Sequence, residues 1–137
     1  MQHDAQRVAE AREWLQRAVA DLESAAVLVG STPSHPDTAL YHAQQAAEKA
    51  WKALLFWHDV PFRKTHDLRE LGDACARLDG SLHNLAERGD DLTPFAWVFR
   101  YPGGPPIPSS EEAEEALQLA YEVFDAILAR LPTEVRP

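Results

Sequence analysis

Residues 97–108 read WVFRYPGGPPIP, so an arginine and a tyrosine end an aromatic run and are followed by four prolines and two glycines in seven residues. Arg100 carries a permanent charge on a planar fork that suits phosphate or a base edge, and Tyr101 offers a ring for stacking. The stiff loop behind them would hold both in place. The plainer alternative is an arginine that caps carbonyls at a helix end and a tyrosine that packs. Arginine cannot serve as a base near neutral pH, so phosphodiester cleavage would need a histidine nearby. None follows His83 in the chain.

Two other groupings could meet an anion. FRKTH, residues 62–66, clusters Arg63, Lys64 and His66 beside an expected helix start, whose free N–H groups favour phosphate. Upstream, Tyr41, Gln45, Glu48 and Lys52 fall at helical spacing, with His42 and Lys49 beside them. That stripe is either a solvated face with an i,i+4 Glu48–Lys52 pair or an anion-facing surface. Metal chemistry is not expected, because no two histidines sit four apart on one helix. No phosphate-cradling glycine loop or nucleophile elbow appears, and no cofactor is expected. Cys75, the only cysteine, reads as core filler among Ala and Leu.

These groups need a scaffold, and the apolar spacing supplies one. Val8, Ala11, Leu15, Ala18, Leu22, Ala25 and Val29 step by three and four, which predicts a helix ended by Gly30 and the prolines of STPSHP. Leu40, Ala43, Ala47, Ala50, Leu54 and Trp57 predict a central helix over 37–58. Its extra apolar positions imply more than one neighbour. Asp67 with Glu70 forms a capping-box pattern, with Thr65 as another N-cap candidate. Leu68, Leu71, Cys75 and Leu78 give the third helix its inner face. LDGSLHNLAERGDD reads as a connector with one helical turn. Thr93–Pro94 reads as the N-cap and first residue of a short helix PFAWVFRY. Ser109 and Glu112 cap a last helix whose inner face is Ala113, Leu117, Ala120, Phe124, Ile127 and Leu131. The fold class is therefore all-α: an up-and-down four-helix bundle with an additional short helix, in one domain over residues 1–137.

Charge and hydropathy bound the partners. A formal net charge of −9 argues against bulk electrostatic binding of DNA. Residues 49–69 nonetheless hold five Lys or Arg against two Asp, so an anion site is expected in the middle of the chain. The polar N-terminal segment and the lack of a long apolar run give the expectation of a cytoplasmic protein without a membrane span. Trp14, Trp51, Trp57, Phe95, Trp97 and Phe99 look like too many large rings for one thin core. A dimer that covers some of them is expected.

Taken in order and at their separations, YHAQQAAEKAWKALL, KTHDL and RYPGG resemble the HEPN family over about residues 8–131. The resemblance implies a helical bundle that usually dimerises, often encoded beside a minimal nucleotidyltransferase with which it forms a toxin–antitoxin pair. Active members are metal-independent ribonucleases that use an arginine followed, four to six residues on, by a histidine. Members without the pair are regarded as nucleotide- or RNA-binding modules. Arg100 stands where that arginine is expected, but Pro105, Pro106 and Ile107 occupy the histidine positions. Arg77 and His83 match the loose spacing elsewhere, across a helix-breaking Asp79–Gly80. The resulting expectation is a binding module without ribonuclease activity, with Lys49, Lys52, Arg63, Lys64, His66, Arg100 and Tyr101 as candidate ligand contacts. The alternatives are a ribonuclease pairing Arg100 with His66 or Arg77 with His83, and a structural interaction module.

Overall fold

The computed structural model describes residues 4–137. Helix α1, Ala5–Gly30, opens under Asp4, whose Oδ1 accepts from the amides of Gln6 and Arg7 at 2.8 and 3.0 Å. Such a cap satisfies N–H groups that the helix itself leaves free. Val8, Ala11, Leu15, Ala18, Leu22 and Ala25 are buried along its seam, as the spacing predicts. Helix α2, Pro36–Trp57, starts with proline, which needs no N–H there. It is buried around most of its circumference and touches α1, α3 (Leu68–Leu78) and α5 (Ser110–Leu128). Six buried alanines between Ala39 and Ala53 let those neighbours approach closely.

Asp67 caps α3 as expected, accepting from the amides of Arg69 and Glu70. Leu68, Leu71 and Cys75 face inward, but Leu78 is exposed and Leu82, four residues on, takes the inward place. Burial pushes the Cys75 thiol well above its ordinary range, with Arg77 opposing weakly, so this sulfur is a packing group. At the other end of α3, Asp79 accepts from Ser81 and from Arg130, which follows α5, at 2.7 Å. The Ser81 hydroxyl and then Arg130 hold its carboxyl down to about 2.

The next stretch corrects two expectations. The presumed connector contains α4, His83–Gly89, followed by a 3-10 helix over Asp90–Ala96. No helix begins at Pro94; the chain turns over residues 97–100 instead. Thr93 is not an N-cap. Its hydroxyl donates to Asp90 at 2.8 Å and accepts from the Leu68 amide at 3.1 Å, which ties this segment to the start of α3. Helix α5 begins under Ser109, whose Oγ accepts from the Glu112 amide at 3.1 Å. Its inner face uses Ala116 and Val123, with Leu117 only half-buried.

The aromatic count is also corrected. Trp51 is fully buried and Trp57 nearly so, while Trp14, Phe95 and Phe99 pack half-buried against the core. Of that group only Trp97 is largely exposed, and it is joined on the loop by Tyr101 and Ile107. Among the described residues no helix is long and apolar enough to cross a membrane.

Helices α3 and α4 approach closely at Gly72. A Cβ on Gly72 would fall 2.8 Å from Ala86 Cβ and 3.2 Å from its Cα, whereas one on Gly30 would meet nothing within 4 Å. Alanine gains about 1 kcal/mol of helix propensity over glycine, but forcing two packed backbones apart costs about 1–3 kcal/mol. Chemical denaturation should therefore show Gly72→Ala to be destabilised on balance, with Gly30→Ala unchanged or slightly stabilised.

Candidate functional site

The polar stripe on α2 divides: Tyr41 is half-buried and lines a cleft with Arg100, whereas the rest of it turns inward. Gln44, Gln45, Glu48 and Lys52 are all buried. Gln45 donates to Gln44 at 2.7 Å, and Gln44 donates to Glu48 Oε1 at 3.2 Å and to the His66 carbonyl at 3.1 Å. Glu48 also holds His66 Nδ1 at 2.8 Å and the Lys52 ammonium at 3.0 Å. Rings close the other side of Lys52: its Nζ lies 5.9 Å from the Trp14 centroid and 5.8 Å from that of Phe62. Cations favour such ring faces, and more so when desolvated.

A second carboxylate repeats the arrangement. Asp21, buried on α1, holds Lys49 Nζ at 2.5 Å and His42 Nδ1 at 2.8 Å. Asp21 is one of four acids along α1, with Glu10, Glu13 and Glu23, and nothing in its spacing marks it as the one that turns inward to meet Lys49 and His42. Farther along, Arg63 meets Glu70 through both oxygens at 2.9 and 3.0 Å, and Arg69 meets Asp73. Four of the five cations between 49 and 69 thus have internal or neighbouring counterions, and only Lys64 stands apart on the surface. The expected cationic middle is largely neutralised in place, which removes the basis for Lys49 and Lys52 as ligand contacts.

Arg100 differs from all of these. Its guanidinium lies 5.3 Å from the Tyr41 ring centroid and meets no carbonyl or carboxylate among the described residues. It is exposed, so it is not the carbonyl-capping arginine of the plainer alternative. Asp37, Thr38, Tyr41, Phe95, Phe99 and Arg100 line a cleft of about 270 Å³ between the start of α2 and the turn after the 3-10 helix. Phe95 and Phe99 stand nearly parallel there, 6.0 Å apart. A hollow of about 360 Å³ adjoins it, sharing Asp37, Phe99 and Arg100 and adding Tyr101 and the proline–glycine loop. Two glycines shape that loop. Gly103 has φ of 89°, and a Cβ on Gly104 would fall 2.6 Å from the Val98 carbonyl oxygen.

The histidines are distributed differently from expectation. His66 is turned to Glu48 and does not line the Arg100 cleft. His42, which sequence reasoning left as a neighbour of the stripe, lies edge-on to Tyr41 at 5.4 Å. It opens on a hollow that shares Thr38 with the Arg100 cleft. Arg77 and His83 do line one shallow hollow together with Arg69, but His83 Nε2 is 3.3 Å from Glu87. Among the described residues no three His, Cys, Asp or Glu side chains are grouped to hold a metal.

Comparison with known proteins agrees with this helical architecture. The HEPN domain family model matches residues 11–131. The chain is 44% identical over 54 residues to a protein of Methanocaldococcus jannaschii named "Putative toxin MJ1304". That match spans 39% of this chain and 34% of the relative's length. No solved structure matches.

The Glu48 network makes a stability prediction. Removing one partner of a buried pair leaves a charge without compensation, a loss of about 3–5 kcal/mol. Glu48→Ala should show a loss of that order in urea unfolding. Adding Lys52→Met to it should recover part of the loss, because the orphaned ammonium goes with it.

Proposed function

The chain belongs to the HEPN domain family, and on that premise we propose that it is the nucleotide- or RNA-binding member of a toxin–antitoxin pair. Its partner is a minimal nucleotidyltransferase, and it has no ribonuclease activity of its own. The observation that carries the binding role is the Arg100 cleft: a free guanidinium held over Tyr41 at the edge of a slot walled by Phe95 and Phe99. Stacking rings combined with an arginine fork are the features that hold single-stranded bases. The relative named as a toxin supports the paired-system role. The lack of catalysis follows from residues 105–107, where Pro, Pro and Ile stand in place of a proton-accepting histidine. Arg100 can stabilise charge on phosphorus but cannot take the 2′-OH proton.

One arrangement favours a second reading, a metal-independent ribonuclease. Asp21 holds His42 by Nδ1, which fixes the ring and leaves Nε2 for proton transfer, and the His42 hollow adjoins the Arg100 cleft through Thr38. Incubation of single-stranded RNA with the purified protein and EDTA separates the two. The binding reading expects intact RNA, and Arg100→Ala to weaken RNA or nucleotide binding at least several-fold. Cleavage abolished by both His42→Ala and Arg100→Ala would establish the ribonuclease instead. Loss in Arg77→Ala and His83→Ala would assign it to their hollow.

The protein forms a homodimer in this reading. Trp97, Tyr101 and Ile107 supply exposed apolar surface on one loop, of the kind that interfaces cover. Sedimentation should give twice the chain mass of 15.3 kDa at micromolar concentration. A mass of one chain would reject the dimer.

A further inference from the structure

We propose that the Arg100 cleft selects guanine among the nucleobases, an inference that rests on the nucleotide- or RNA-binding reading above. Asp37 and Arg100 line both the cleft and its adjoining hollow, yet no ion pair joins them. Opposite charges that share a slot without closing on each other leave room for a ligand that satisfies both. The ligand must be flat, because the slot between them is walled by Tyr41, Phe95 and Phe99.

The two charges specify different edges of that ligand. An ionised carboxylate only accepts, and a guanidinium only donates. Asp37 lies in the first turn of α2. It has no hydrogen-bond partner among the described residues, so both oxygens are available. Guanine carries adjacent N1–H and N2–H donors on one edge and O6 and N7 acceptors on another. The fork of arginine fits O6 and N7 as a pair, the commonest specific contact to a base. Adenine turns its N1 acceptor toward a carboxylate and offers the fork only N7 beside an N–H donor. Cytosine can donate N4–H to a carboxylate but has no N7, and uracil presents acceptors on both sides of its single N–H donor.

Net charge points the same way. At −9, and with most of the middle cations already paired, the chain has little positive surface to spend on a phosphate backbone. Affinity must come mainly from base contacts, which are the contacts that carry sequence information. Asp37 itself repels phosphate, so the base enters the slot and its phosphate lies outward.

Calorimetric titration of the full chain with 5′-GMP, IMP, AMP, CMP and UMP at one fixed salt concentration tests this. GMP should bind at least about tenfold tighter than AMP, CMP or UMP, within the discrimination that a good bidentate base contact supplies. IMP, which lacks the N2 donor, should fall between GMP and AMP. Asp37→Asn should remove the GMP preference, weakening GMP and strengthening AMP, because the asparagine amide can donate to adenine N1 where a carboxylate cannot. Arg100→Gln should weaken GMP most. Circular dichroism identifies any variant that fails to fold, and the ranking by the unaltered protein stands without the variants. Equal affinity for all five nucleotides would overturn guanine selection and leave the binding reading standing. A GMP preference that survives Asp37→Asn would overturn the assigned contacts. No binding of any nucleotide at millimolar concentration would overturn both the selection and the reading beneath it.

Discussion

The structure depends on how α2 manages buried charge. A helix enclosed by α1, α3 and α5 would ordinarily be apolar all round, yet this one buries Glu48 and Lys52 in its middle. Charges taken out of water must be paired and hydrogen-bonded. That requirement explains the course of the chain after α2. The turn FRKTH must return across the helix so that His66 can meet Glu48 and its carbonyl can accept from Gln44. Phe62, on the same turn, covers the Lys52 ammonium from one side while Trp14 of α1 covers it from the other. The start of α3 is thus positioned by a polar network as much as by the leucines that follow it.

The same requirement sorts the basic residues. Cations that look available along the chain are committed to acids that are distant in sequence or on the next turn: Lys49 to Asp21, Lys52 to Glu48, Arg63 to Glu70. Arg100 is held differently, by the face of Tyr41, and a ring leaves the hydrogen-bonding capacity of the guanidinium unspent. Arg100 meets no acceptor among the described residues, and the other residues lining its cleft are rings, a hydroxyl and a carboxylate.

Much of the scaffold was legible in the sequence because it rests on periodic or local signals. The seams of α1 and α2, the Asp67 and Ser109 caps and the stop at Gly30 each depend on residues within a few positions of one another. The HEPN resemblance was legible for the same reason, in three short motifs. The errors came where a distant group decides the outcome. Thr93 beside Pro94 is a good local cap pattern, but its hydroxyl is taken by Asp90 and the Leu68 amide. Glu48 and Lys52 form the expected i,i+4 pair, but nothing local says that it is buried. Six large rings look too many for one core, but an aromatic's burial depends on the space opposite it, which Gly72 and Gly89 make for Trp51. Asp21 gives no local sign that it is buried, and its partners His42 and Lys49 lie 21 and 28 residues away.

The Thr93 hydroxyl links two regions that are otherwise described separately. It accepts from the amide of Leu68, the first residue of α3, and the next residues of its own segment are Pro94 and Phe95, at the wall of the Arg100 cleft. The entrance of α3 and the cleft wall are therefore joined by this hydrogen bond as well as by the packing of the 3-10 segment against α3. Displacement of the 3-10 segment withdraws the acceptor from the Leu68 amide, and exchange of that single proton with solvent becomes a gauge of whether the wall is in place.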